Sequence, residues 1–250
     1  MQAMKERPIL FSGPMVRAIL QGRKTVTRRP VNGDQVPRLE YPDHDEPWVA
    51  VGQQHRRYGF VVYGKTEEGC AAKLGEFGAC PYGQRGDRLW VRETWQDVHP
   101  VQVADNRYSQ AGRAGIPGPP GVTYRTIYRA DGPYPVVYHS HLHPYRCLQP
   151  DPEHGSTWAA ESGYTGWVPS IHMPRWASRI LLEITTVRVE RLQDITPNQC
   201  IAEGAWLDAD KELGRGQEAV DAFADLWRST GGDWAANPWV WVVEFKRVTP

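Results

Sequence analysis

The chain has 250 residues, with 29 Lys+Arg against 29 Asp+Glu and a formal net charge of zero. That length supports one ordinary core or two small ones, and the neutrality argues against a general polyanion binder while leaving room for a local basic patch. Of the 29 basic residues 23 are Arg, which favours fixed bidentate contacts, and 24 Gly with 21 Pro point to loops and short strands rather than long helices.

The N-terminal residues Met1 to Pro8 are polar, and no window approaches the run of about 20 apolar residues that spans a bilayer. Cys70, Cys80, Cys147 and Cys200 are widely separated. Reduced thiols, a cytoplasmic location and no membrane partner are therefore expected.

In chain order, Pro8 to Phe11 is a short strand. Ser12 and Pro14 open a helix whose apolar stripe is Met15, Val16, Ile19 and Leu20, and Gly22 stops it. The basic, β-branched run Arg23 to Pro30 follows. Residues 31–85 are polar and loop-like, with one possible hairpin at Trp48 to Val51 and Tyr58 to Tyr63. Arg88 to Trp95 alternates as a strand, and 96–169 is a second loop-rich region holding strands at Val122 to Tyr128 and Pro135 to His139. Arg179 to Arg191 is one long strand or a pair, Thr196-Pro197 opens a short helix through Glu203, Gln217 to Arg228 is an amphipathic helix, and Trp239 to Val248 is the closing strand. Short strands with few helices between them argue for an α+β fold built as a small mixed barrel or curled sheet, and against a doubly wound parallel sheet.

The run Gly22 to Arg29 is the strongest chemical constellation. A Lys beside a Thr supplies a base and a nucleophile when burial or nearby cations lower the amine's pKa, and Arg23, Arg28 and Arg29 are those cations. The same run also suits a basic helix C-terminus that complements the helix dipole.

The segment Ile19-Leu20-Gln21-Gly22-Arg23-Lys24-Thr25-Val26-Thr27-Arg28 resembles the signature of ASCH domains, small PUA-like β-barrels. Gly86-Asp87-Arg88-Leu89, Leu192 to Glu203 and Val243-Glu244-Phe245-Lys246 agree in order. Cys80-Pro81-Tyr82-Gly83, Trp90 to Trp95 and Ser170 to Arg179 are similar to the longer phage- and prophage-associated branch. The resemblance implies one PUA-like barrel over residues 1–250, with flanking helices and insertions at about 31–85 and 96–169.

The resemblance also implies a function. Some ASCH proteins are amidohydrolases that remove the acyl group from N4-acetylcytidine and related nucleosides without metal or cofactor. Their Lys, Thr and Glu fall here on Lys24, Thr27 and Glu203. Either Thr27 attacks the acyl carbon with Lys24 as base, or Glu203 activates water while cationic Lys24 holds the oxyanion. In a straight strand Lys24 and Thr27 face opposite sides, and Thr25 then shares the face of Thr27. Arg23, Arg28, Glu93, Trp95, Trp176 and Trp206 are the candidates for binding the nucleoside.

The alternative is a module that binds RNA or single-stranded nucleic acid, or a nuclease, with Arg175, Arg179, Arg188 and Arg191 joining Arg28 and Arg29 in a basic face. His139, His141, His143 and Cys147 have an alternating spacing compatible with zinc, but Pro144 cuts the run short and no metal is expected.

Overall fold

The computed structural model describes residues 4–53, 58–77, 79–98, 125–132, 138–139, 146–148, 158–159, 167–205 and 216–249. The elements are β1 (Glu6–Leu10), α1 (Gly13–Leu20), β2 (Val26–Pro30), β3 (Arg38–Leu39), β4 (Trp48–Gln53), β5 (Gly59–Gly64), α2 (Glu67–Glu76), β6 (Arg88–Arg92), β7 (Trp95–Val98), β8 (Arg125–Tyr128), β9 (Tyr138–His139), β10 (Arg146–Cys147), β11 (Trp158–Ala159), β12 (Leu181–Arg191), α3 (Pro197–Ala202), α4 (Gln217–Ser229) and β13 (Trp239–Val248). They form two compact units, one of Met1–Ile9, Arg17–Val91 and Arg179–Pro250, the other of Leu10–Val16 and Arg92–Ser178.

The first unit is built on an antiparallel spine, β12 against β13, with a bulge between Ile184 and Thr186. β13 is buried on both faces from Trp239 to Val243 because β12 and β2 flank it and α3 and α4 cover one side. That covered side holds Val26, Leu192, Ile195, Cys200, Phe223, Trp227, Val240 and Val242. Burying this many large apolar side chains, at about 1.5–3 kcal/mol each, is what holds α3 and α4 on the sheet.

The five-stranded sheet runs β1-β6-β12-β13-β2. It is open, and among the described residues no sheet closes into a barrel, so the expected barrel is corrected to an α+β fold with open sheets. The reason lies in where the short strands attach. β6 pairs with Leu181–Glu183, at the start of β12, opposite the end of β13. β2 pairs with Val240–Glu244, at the other end of the spine. The edge strands β1 and β2 therefore lie at opposite ends as well as opposite sides, and closure needs edges that meet in register. β3, β4 and β5 form their own three-stranded sheet.

The hairpin expected near Trp48 and Tyr63 is present as β4 and β5. Within the same loop-like stretch, α2 was not expected. Thr66 caps it, its hydroxyl accepting from the Gly69 N–H at 3.0 Å, with Glu67 and Glu68 in the first turn.

The run Arg88 to Trp95 does not continue as one strand but breaks at Glu93-Thr94. In the second unit β7 pairs with β8, Trp95 opposite Tyr128. β9 pairs with both β10 and β11. Met173 and Ala177 pack with Trp95. Among the described residues no helix is long and apolar enough to cross a membrane.

Candidate functional site

The turn after α1 places Lys24. Gly22 has φ +73°. Its N–H bonds the Ile19 carbonyl at 3.0 Å, and the Arg23 N–H bonds Ala18 at 2.9 Å, the paired pattern of a left-handed helix stop. The Lys24 N–H also reaches Ala18, at 3.1 Å, so the chain leaves the helix with Lys24 turned inward. The extended chain then continues from Thr25, whose carbonyl accepts from the Phe245 N–H at 2.9 Å.

Glu203 arrives from the other direction. Thr196 and Gln199 form a reciprocal capping box at the start of α3, and Glu203 caps its end. Gly204 follows with φ +80°, and a Cβ there would sit 2.8 Å from the Ala18 Cβ and 3.1 Å from the Lys24 Cβ. Only glycine lets the end of α3 lie this close to the turn that carries Lys24.

The two residues meet although 179 positions separate them. Lys24 Nζ donates to Glu203 Oε2 at 2.7 Å, to the Glu203 carbonyl at 2.9 Å and to the Val26 carbonyl at 2.7 Å. Side-chain exposures are 0% for Lys24 and 3% for Glu203. Three acceptors around one nitrogen are the environment of an ammonium, whose three hydrogens they satisfy. Burial lowers the Lys24 pKa. The Glu203 charge and hydrogen bond oppose that, and Arg29 and Arg28 add to it.

Arg28 closes the other side of Glu203, donating from NH1 to Oε1 at 3.2 Å. Its NH2 donates to Glu190 and, at 3.1 Å, to Gln199 Oε1. Arg188 donates from Nε to Glu190 Oε2 at 2.9 Å and from NH1 to Glu244 Oε1 at 2.5 Å. The result is a run of alternating charge, Glu244, Arg188, Glu190, Arg28, Glu203, Lys24, leading from the half-exposed surface to a buried amine.

The expected site residues are thus distributed unevenly. Lys24, Glu203 and Arg28 are together. Thr27 lies on β2 between Val26, which packs against α3 and α4, and Arg28, which bonds Gln199 and Glu203. By strand alternation the Thr27 side chain takes the opposite face, while Thr25 is exposed. Arg23 folds onto Gln21, its Nε and NH2 donating to Oε1 at 2.9 and 2.6 Å.

Glu93, Trp95 and Trp176 belong to the second unit. There Glu93 is buried, its N–H lying 3.3 Å from Met173 Sδ, and Trp95 meets Trp176 edge-on with ring centroids 5.4 Å apart. Trp206 lies outside the described residues, as do His141 and His143. The Cys200 thiol, within the α3 core, is pushed up to about 11 by burial and stays protonated at neutral pH.

Three of the Arg residues expected to form a basic face are paired with carboxylates. Arg28 is buried on Glu203 and Glu190, while half-buried Arg188 pairs with Glu190 and Glu244, and half-buried Arg191 pairs with Glu67 and stacks over Trp239 at 4.3 Å. Arg175 lies in the second unit. The sequence reading missed Glu190 and Gln199. Gln199 carried a signal, as the third residue after a helix-capping Thr, whereas Glu190 carried only its alternation with Arg188 on a strand. A cavity of about 480 Å³ lies elsewhere, among Phe60, Val61, Tyr63 and Phe77, and includes none of the expected site residues.

Compared with protein-family models, with curated proteins and with solved structures, the chain matches none.

Proposed function

We propose that the protein is an amidohydrolase acting on N4-acylated cytosine nucleosides, with the buried Lys24–Glu203 pair as its reacting centre. The observation that carries this reading is the 2.7 Å contact between those two buried side chains, in a chain whose resemblance to the ASCH pattern selected both residues. A carboxylate beside a fixed cation in a low-dielectric site is what acyl transfer from an amide needs.

The three acceptors on Lys24 favour the assignment in which it remains cationic. The acyl oxygen of the substrate takes the place of one backbone acceptor, the Val26 or the Glu203 carbonyl. Glu203 accepts a proton from water as that water bonds to the acyl carbon, and the carbonyl electron pair moves to the oxygen held by Lys24. As the carbon–nitrogen bond breaks, Glu203 returns the proton to N4, releasing a carboxylic acid and the cytosine amine. Thr27, buried on the face of β2 opposite Arg28, is turned away from the Lys24–Glu203 pair, which argues against a direct attack by its hydroxyl. No cofactor enters the scheme.

The test is hydrolysis of N4-acetylcytidine by purified protein in the presence of a chelator, followed by ultraviolet absorbance. Glu203→Gln is expected to lower kcat by about 10²–10⁴-fold, whereas Thr27→Ala stays within about tenfold of the wild type. Turnover abolished by Thr27→Ala returns Thr27 to the role of nucleophile. Absence of turnover in folded wild-type protein, with salt-dependent binding of RNA instead, overturns the amidohydrolase reading.

A further inference from the structure

Arg28 was a candidate for binding substrate, yet its guanidinium is buried and both terminal nitrogens are engaged by neighbouring side chains. Three side chains accept from it: Glu203, Glu190 and Gln199. Its bonding divides cleanly. NH1 serves Glu203 Oε1, and NH2 serves Glu190 Oε1 and Gln199 Oε1. A planar fork held at NH2 leaves NH1 one direction in which to point. The Glu203 carboxylate is itself planar, so a bond that fixes Oε1 also fixes where Oε2 lies, and Oε2 is the oxygen on Lys24.

Each clamp is anchored independently. Glu190 sits on β12 and is held from its far side by Arg188, Nε to Oε2 at 2.9 Å. Gln199 Oε1 also accepts from the Thr196 N–H at 2.9 Å, so the same oxygen closes the helix cap and receives Arg28. The orientation of Glu203 is thereby tied to β12 and to the first turn of α3, as well as to its own backbone.

We infer that Glu190 and Gln199 are positioning residues for the Lys24–Glu203 centre, acting through Arg28 to hold the Glu203 carboxylate against the Lys24 ammonium. Each bonds the Arg28 guanidinium, and its effect on the Lys24–Glu203 pair passes through that group. Its activity arm rests on the amidohydrolase reading, and its structural arm does not.

The structural arm uses lysine labelled with nitrogen-15. The chain has only six Lys, so the spectrum is simple, and Lys24→Met assigns the Lys24 signal. In the folded wild type the buried ammonium protons are expected to exchange slowly with water. In Glu190→Gln and in Gln199→Ala that exchange is expected to accelerate about tenfold or more, and in Arg188→Gln, one step further out, by less. Melting curves taken on the same samples show that each variant is folded. If Glu190→Gln fails to fold, Gln199→Ala, at a half-buried position, carries the test alone.

The activity arm measures N4-acetylcytidine hydrolysis. A carboxylate that drifts from its place lowers kcat by about 10–10²-fold while KM stays within about twofold, in the order Arg28→Lys, Glu190→Gln, Gln199→Ala, Arg188→Gln. Loss that instead follows melting temperature, with KM rising in step, overturns the positioning role. Unchanged Lys24 exchange and unchanged kcat in both Glu190→Gln and Gln199→Ala overturn it as well. Accelerated exchange in a protein whose wild type hydrolyses nothing sinks the amidohydrolase reading and leaves the clamp standing.

Discussion

Two clusters of charge flank the β12–β13 spine, one on the β6 side and one on the β2 side, and they are made differently. On the β6 side, Asp87 is surrounded by donors of fixed position. The Lys5 N–H reaches Oδ1 at 3.0 Å, and Arg7 NH1 and the Gln84 N–H reach Oδ2 at 2.7 and 3.3 Å. A Cβ on Gly83 would stand 2.7 Å from Arg7 NH1, so glycine there makes room for the pair. On the β2 side, Lys24, Glu203, Arg28, Glu190 and Arg188 hold one another mainly by side chains. One cluster is a carboxylate satisfied by turn backbone and one Arg, a fastening between β1 and β6. The other is a stack of alternating charges whose partners are as costly to bury as they are. Groups arranged for stability alone seldom need that second form, because a buried ion pair gains little over an apolar replacement.

The sharpest way to break the comparison is to remove one partner on each side. Glu203→Leu leaves the Lys24 ammonium buried without its counter-charge, an expected loss of about 3–5 kcal/mol in urea unfolding. Adding Lys24→Met should return most of that loss, since the desolvated charge is gone. Asp87→Asn removes the charge and turns one of the two accepting oxygens into a donor, so about 1–3 kcal/mol is expected. Equal losses on the two sides would show that the Lys24 cluster is an ordinary fastening like the other.

Proton linkage separates the clusters next. Burial works to raise the Asp87 pKa, but the Lys5 N–H, Arg7 and the Gln84 N–H prevail, and the value lies below the ordinary carboxylate range. Its contribution is complete above the unfolded value of about 3.9 and is lost as pH falls through the folded one. Lys24 is lowered, chiefly by burial, so between its folded value and about 10.4 the unfolded chain binds the extra proton. Stability gains from Lys24 as pH rises through that window. Unfolding curves of Asp87→Asn should lose slope on the acid side, and those of Lys24→Met should lose it on the alkaline side. A flat alkaline limb in the wild type would contradict the lowered amine.

Much of this was legible in the chain because it is local. The stop at Gly22, the opening of α3 at Thr196-Pro197 and the long strands β12 and β13 are written in neighbouring residues. The approach of Lys24 to Glu203 followed only from the resemblance, since no local rule joins residues 179 apart. Barrel closure was not legible at all. It depends on which end of a long strand each short strand chooses, and β6 and β2 chose opposite ends. α2 was hidden because Gly69 and Gly75 dilute its periodicity, although Thr66 and the two Glu after it mark its start. The facing of Thr27 was open until β2 proved to be regular from Val26.

A smaller effect sharpens what holds α3 in place. Gly204→Ala adds a methyl 2.8 Å from the Ala18 Cβ at a φ of +80°. The strain is expected to cost about 1–3 kcal/mol and to separate α3 from the turn after α1.

The smallest effect decides between two accounts of Gln199. Thr196→Ala removes one helix-capping acceptor, worth about 1 kcal/mol, but leaves Gln199 Oε1 on Arg28. Gln199→Ala removes the reciprocal half of the cap and the Arg28 contact together. If the helix cap is all that Gln199 provides, both variants should speed Lys24 proton exchange alike. If its oxygen holds the guanidinium, Thr196→Ala should lower the melting temperature and leave Lys24 exchange close to wild type, while Gln199→Ala changes both. Thr196 therefore distinguishes a fastening from a clamp within a single helical turn.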